Sequence, residues 1–340
     1  MINTFTPVYH QGNSIGGYDL GSNADLAFAF DYDHSGKPDH LILYRPAKGA
    51  IWILCNNSGN FTPVYQHGDG IGGYDLQSTA DRAFAFDYDH SGKLDHIVLY
   101  RPTKGAIWIL RNDSGTFTPV YRHGDGIGGY DLQSTADRAF AFNYDHSGKL
   151  DHIVLYRPAK GTIWILHNDS GTFTPVYRHG DGIGGYDLQS AADRAFAFDY
   201  DHSSKLDHIV LYRPAKGAIW ILRNDSGTFT PVYRHGDGIG GYDLQSAADC
   251  AFAFDYDHSS KLDHIVLYRP AKGAIWILRN NNGKFTPMYQ HGDGIGGYDL
   301  QSYADRAIVF DYDHSGKLNH IALYHPQMGA TWILRNDAQK

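Results

Sequence analysis

Ala83-Phe84-Ala85-Phe86-Asp87-Tyr88-Asp89-His90-Ser91-Gly92-Lys93-Leu94-Asp95-His96-Ile97-Val98-Leu99-Tyr100-Arg101-Pro102 holds two strand signals around one acidic turn. Ala83 to Phe86 alternate small and large residues, the period-2 pattern of a strand. His96 to Tyr100 is β-branched and ends on an aromatic, and Pro102 stops it. Downstream, Lys104-Gly105 leads into a third run, Ala106-Ile107-Trp108-Ile109-Leu110. Asn112-Asp113-Ser114-Gly115 then turns the chain into a fourth, Phe117-Thr118-Pro119-Val120-Tyr121. No segment carries an apolar period of 3.6, so helix is expected to be nearly absent. A proline cannot donate to a ladder, which puts the fourth strand on a sheet edge. The small alanines suit a crowded innermost first strand. The spacing predicts four antiparallel strands joined by hairpins, with the Gly-rich link from His123 to Asp137 leading to the next sheet.

This unit recurs every 56 residues without insertion or deletion, starting at Phe5, Phe61, Phe117, Phe173, Phe229 and Phe285. The units are 5–60, 61–116, 117–172, 173–228, 229–284 and 285–340, one domain over 1–340. Repeats of four short strands stack or close into a ring. The phase favours closure. Phe5 to Tyr9 reads as a fourth strand, while the chain ends on a third, Thr331 to Leu334. In an open stack the first segment would stay unpaired. The expected fold is all-β: a six-bladed β-propeller with four antiparallel strands per blade, closed by the N-terminal strand completing the last blade.

Composition narrows the function classes. With 25 Tyr, 6 Trp and a formal net charge of -8, the 340 residues form no basic face, which argues against a nucleic-acid partner. No run of 18 apolar residues exists, and the N-terminus lacks a signal-peptide core, so a cytoplasmic or non-classically secreted location is expected. Cys55 and Cys250 stand where other copies hold mostly Arg. The plainer reading is two unpaired thiols. The sharper one is a homodimer through Cys55 or Cys250.

The acidic turn has the pattern D-x-D-x-S-G-K-x-D. Side-chain oxygens at positions 1, 3, 5 and 9, with a carbonyl at 7, can wrap a hard cation. In the first unit these are Asp31, Asp33, Ser35, Lys37 (by its carbonyl) and Asp39. The same positions recur as Asp87, Asp89, Ser91, Lys93, Asp95, and as Asn143, Asp145, Ser147, Lys149, Asp151. They follow as Asp199, Asp201, Ser203, Lys205, Asp207, and as Asp255, Asp257, Ser259, Lys261, Asp263. The last set is Asp311, Asp313, Ser315, Lys317, Asn319. Asn143 and Asn319 each remove a carboxylate, which should weaken those sites. Ser204 and Ser260 replace the turn glycine, which should strain the loop. A plain Asp-capped turn would explain one such loop. It explains poorly why carboxylates that repel one another should converge in every unit. Ca2+ is expected, up to six ions, one per blade, in a structural role.

The link between sheets reads His67-Gly68-Asp69-Gly70-Ile71-Gly72-Gly73-Tyr74-Asp75 in the second unit. Glycines let a ligand approach backbone amides. An aromatic can face the C–H side of a sugar, and His and Asp can bond hydroxyls. Equally, the glycines can simply turn the chain while Tyr74 packs between blades. The six tryptophans, Trp52, Trp108, Trp164, Trp220, Trp276 and Trp332, lie mid-strand and read better as blade-to-blade core than as sugar platforms.

The run Ala83 to Asp95 resembles integrin-like FG-GAP/VCBS calcium repeats. With Tyr-Arg-Pro and Ile-Trp-Ile-Leu-Arg-Asn after it and Gly-Gly-Tyr-Asp before it, the whole chain resembles fungal β-propeller lectins, of the oyster mushroom (Pleurotus) type and more distantly of the Psathyrella type. The resemblance implies calcium-bearing blades with sugar pockets between consecutive blades, and glycans bearing terminal galactose or N-acetylgalactosamine as partners. Carried over, the pocket residues are His67, Asp69, Gly73 and Tyr74. Their counterparts are His123, Asp125, Gly129 and Tyr130; His179, Asp181, Gly185 and Tyr186; His235, Asp237, Gly241 and Tyr242; and His291, Asp293, Gly297 and Tyr298. The first unit departs, with Gln11, Asn13 and Ser14 in place of His, Asp and Gly, so its pocket is doubtful. Arg82 ranks lower, because Leu26 and Cys250 take its place elsewhere.

A multivalent lectin is the leading expectation, since several weak pockets on one ring gain avidity. An integrin-like protein-binding propeller is the alternative, although nearly identical links give little for a unique partner. No enzyme is expected, because catalysis needs one asymmetric constellation and the units look equal.

Overall fold

The computed structural model describes residues 4–338. The ends of the 1–340 domain, and with them the last two residues of the unit 285–340, lie outside the described residues. The chain forms six four-stranded antiparallel sheets, with no helix among the described residues. After β1 (Phe5–Gln11), the first sheet holds β2 (Leu26–Phe30), β3 (His40–Arg45), β4 (Ala50–Asn57) and β5 (Asn60–His67), in that order. The second repeats it with β6 (Arg82–Phe86), β7 (His96–Arg101), β8 (Ala106–Asp113) and β9 (Thr116–His123).

The inner strands β2 and β6 are the ones that approach each other from sheet to sheet, as the alternating alanines require. At the outer edge, Leu54 pairs with Pro63 where the ladder shifts register, so the proline sits at a bulge. Tyrosine hydroxyls bridge the inner edges. Tyr44 Oη accepts the N–H of Ala83 in the next blade at 3.0 Å.

Among the described residues there is no central core. Each pair of neighbouring blades shares a cluster of its own. Ile42 and Ile53 of the first blade meet Ile97, Leu99 and Leu110 of the second, and Ile71 and Leu76 of the link fill the seam. The predicted closure is present. β1 pairs antiparallel with Ala330–Asn336, from Phe5 against Asn336 to Gln11 against Thr331, and completes the last sheet. That pairing removes both a free edge and an apolar end.

Candidate functional site

The acidic turn sits between the first and second strands of each blade. Buried Asp31 sits under the turn. Its oxygens accept the N–H groups of Ser35 and Gly36 at 2.9 and 2.8 Å, so it shapes the turn. Burial pushes its carboxyl up to about 6, as it does for Asp199 and Asp311. What the fold brings together is Asp33, Asp39 and His40, with one ligand atom from each within 4.8 Å of the others. The group recurs as Asp89, Asp95, His96; Asp145, Asp151, His152; Asp201, Asp207, His208; and Asp257, Asp263, His264. The histidine was missed because it reads as the first residue of a strand.

In each of these five groups the buried carboxylate and histidine lie 2.7 Å apart, as Asp39 Oδ1 and His40 Nδ1 do. Two carboxylates and an imidazole converging on one point could hold a divalent cation. The two carboxylates favour a hard ion, whereas the imidazole also suits a transition metal. Among the described residues the sixth blade has no such group, since Asn319 replaces the second carboxylate. In the third unit, Asn143 leaves its Nδ2 unpartnered. Ser204 and Ser260 do adopt left-handed backbone, with φ of 67° and 68°, where Gly36 has 84°.

The turns also lock the ring. His34 Nδ1 lies 2.7 Å from Asp95 Oδ2 of the next blade, and His314 makes the same contact with Asp39 across the closure. Asn112 Nδ2 donates to the carbonyl of Tyr32 at 2.6 Å. The histidine partners, working against burial, hold the carboxyls of Asp39 and Asp95 below the usual range.

The Gly-rich link covers the seam on its way from β5 to β6. Ile71 and Tyr74 exchange backbone hydrogen bonds at 2.9 Å, which pinches Gly72 and Gly73 into a tight hairpin. Gly70 has φ 95°, and a Cβ there would lie 1.8 Å from the Tyr74 carbonyl oxygen, so no other residue fits. Tyr74 is buried, and its hydroxyl donates to Asp81 at 2.9 Å. Its ring meets Trp108 edge-on at 5.6 Å. Little of this tyrosine is left to face a ligand. His67 and Asp69 lie on exposed chain beside it, where the Asp69 N–H points at His67 Nδ1, 3.4 Å away.

The tryptophans lie in the blade seams, as expected, but at their outer margin. Trp108 is half-buried between Gly73 and the guanidinium of Arg122, which lies 4.2 Å from the ring centre. Beside it is an arrangement sequence reading missed. Arg101 Nε and Nη2 bind Asp81 at 2.7 and 2.8 Å, and Nη2 also donates to Asp75. Arg45, Arg157, Arg213 and Arg269 repeat this fork on the equivalent aspartates. Asp81 is fully buried, whereas the Asp75 side chain is 54% exposed and held acidic by Arg101.

In the last blade His325 replaces that arginine, and a cavity of about 360 Å³ opens there. Gly297 and Tyr298 line it with Asp299, Asp305, His325 and Trp332, while His291 and Asp293 do not. Aligning the six copies column by column reveals the exchange. In the first unit, the Tyr18–Trp52 pair and the Arg45 fork are kept despite Asn13 and Ser14. Cys55 and Cys250 are free and half-buried, with Arg194 Nη1 3.1 Å from the Cys250 sulfur.

No family model and no curated protein matches the chain. Solved structures match its fold. One is an Agrocybe aegerita lectin described as recognising non-reducing terminal N-acetylglucosamine, 19% identical, covering 94% of this chain and 81% of its own, TM-score 0.57. Another is BBS1N in complex with ARL6DN, 12% identical, covering 100% and 99%, TM-score 0.55. A third is a calcium-binding protein, regucalcin, from Agrobacterium tumefaciens, 12% identical, covering 97% and 95%, TM-score 0.51.

The expectation of no enzyme is corrected. A putative 6-phosphogluconolactonase from Bacteroides uniformis also matches, 10% identical over 77% of this chain and 70% of its own, TM-score 0.44. So distant a likeness gives this chain no activity. The exclusion rested on equal copies, however, and His325 makes the sixth unequal. The chain is therefore a six-bladed β-propeller whose fold leaves its chemistry open.

Proposed function

We propose that the ring is a multivalent carbohydrate-binding protein with cation-braced acidic turns. The observation that carries this reading is the repetition, six times on one rigid frame, of a Gly-Gly-Tyr-Asp turn over a seam tryptophan. Exposed Gly73, Asp75, His67 and Asp69 offer backbone amides, carboxylates and an imidazole to hydroxyls. Each such site would be weak, and the ring gains by engaging clustered glycans.

The ligand class is terminal galactose or N-acetylgalactosamine, on the resemblance of the Gly-Gly-Tyr-Asp link. N-acetylglucosamine is the rival, because the Agrocybe aegerita lectin is described as binding it. The cation is calcium, held by Asp33 and Asp39 and their counterparts, with His40 beside them. Its chemistry here is charge neutralisation, which lets the carboxylates share one turn. The protein's own residues do the rest. Asp31 fixes the turn, and His34 ties it to the next blade.

Calorimetric titration with the three monosaccharides tests the reading. Saturable binding with several sites per chain supports it, and absence of heat with all three at millimolar concentration removes it. Protein binding is the second reading, favoured by Tyr303 and Met328, which are 77% and 68% exposed on the last blade alone.

A further inference from the structure

In five blades an arginine reaches into the pocket beside the link, and in the sixth the pocket is intact without it. The fifth blade shows the filled form. Arg269 Nε and Nη2 bind Asp249 at 2.6 and 2.8 Å, Nη2 also donates to Asp243, and the guanidinium carbon lies 5.3 Å from the Tyr242 ring centre.

The sixth blade keeps every acceptor. Asp305 is 1% exposed. It retains the two neutral anchors its counterparts have, the Tyr298 hydroxyl at 2.6 Å and the Ser302 N–H at 2.8 Å. Asp299 still accepts the Gln301 N–H at 3.1 Å. Neither carboxylate has a cationic partner among the described residues. His325 does not substitute, because its Nδ1–H donates to the Pro326 carbonyl at 2.6 Å. A buried carboxylate without a cation is costly, and a charged donor from outside would relieve that cost. The vacated space is the cavity of about 360 Å³, with Trp332 as one wall and Met328 at its mouth. Met328 and the nearby Tyr303 are two of the four exposed large hydrophobics among the described residues.

We propose that this cavity is a single binding site for a guanidinium group entering from another molecule, in the pose that Arg269 takes internally. The planar fork would meet Asp305 with two N–H donors and Asp299 with a third, and its face would lie on Tyr298. Met328 and Trp332 would cover the aliphatic stem. The group could belong to a small guanidine or to an arginine side chain in a peptide. The site does not rest on glycan binding. It gives the last blade a ligand class that the others exclude by filling the pocket themselves.

Calorimetry with agmatine, and with a blocked Gly-Arg-Gly peptide, tests this and separates the two sources. The expected result is one site per chain for at least one of them. An equivalent lysine peptide should bind at least about tenfold more weakly, because an ammonium cannot make the fork. His325→Arg should abolish binding by rebuilding the fork found in the other blades, and Asp299→Asn should weaken it about tenfold. His325→Arg installs a residue the fold already accommodates, so loss of folding is not expected, and a melting curve checks this. Lack of binding by both guanidines, or equal binding to folded His325→Arg, would overturn the proposal.

Discussion

At the scale of single residues, the departures between copies carry more information than the shared pattern. Ser204 and Ser260 hold left-handed backbone that Gly36 holds without penalty. A side chain there costs about 1 kcal/mol. Nothing lies within 4 Å of a Cβ at Gly36, so the cost is conformational and not steric. Ser204→Gly and Ser260→Gly should each raise stability by about 0.5–1 kcal/mol in urea titrations. A fall in stability would contradict the strain account. The fork is the opposite case. Arg101→Ala leaves Asp81 buried without a cationic partner, which should cost about 3 kcal/mol and lower the melting temperature. His325→Arg should raise it.

At the scale of the element, the acidic turn decides how the protein answers to pH. In the fold, burial holds Asp31, Asp199 and Asp311 at about 6, against an ordinary 3.8. A raised carboxyl contributes stability that is complete below 3.8 and is lost as pH rises through about 6. His320 opposes this, since burial lowers it from 6.5 to about 4, so its contribution is lost as pH falls through that range. Three groups outweigh one, and metal-free protein should melt higher at pH 5.5 than at pH 7. Cation-loaded protein should show the reverse, as protons displace the ion. The same trend with and without EDTA would count against a cation in the turns.

The strands were legible because their alternation and stops repeat six times. The cation group was only half legible. An aspartate buried under the turn, such as Asp31, and one grouped with a second carboxylate and a histidine, such as Asp33, look alike in sequence, and His40 is hidden at the start of a strand. The arginine fork was not legible at all. Its partners, Asp81 and Asp75, lie 20 and 26 residues away from Arg101, with no local periodicity linking them.

At the scale of the molecule, stability is distributed among seams, and closure depends on one strand. The phase of the repeat already implied that Phe5 to Tyr9 completes the last sheet, and the register bears this out. Removing residues 1–11 would expose Ala330–Asn336 as a bare edge. The truncated protein should lose cooperative unfolding and aggregate in gel filtration, whereas a monomer with unchanged melting would refute closure by β1. Stripping the cation with EDTA should lower the melting temperature by several degrees, at about 2 °C per kcal/mol for a chain of this size.

The central claim is that a cation-braced ring presents several like glycan sites. A glycan array read in calcium and again in EDTA tests it most directly. The account predicts binding to glycans with terminal galactose or N-acetylgalactosamine in calcium, strongest where they are clustered, and its loss in EDTA. An array on which no glycan is retained in calcium would contradict it.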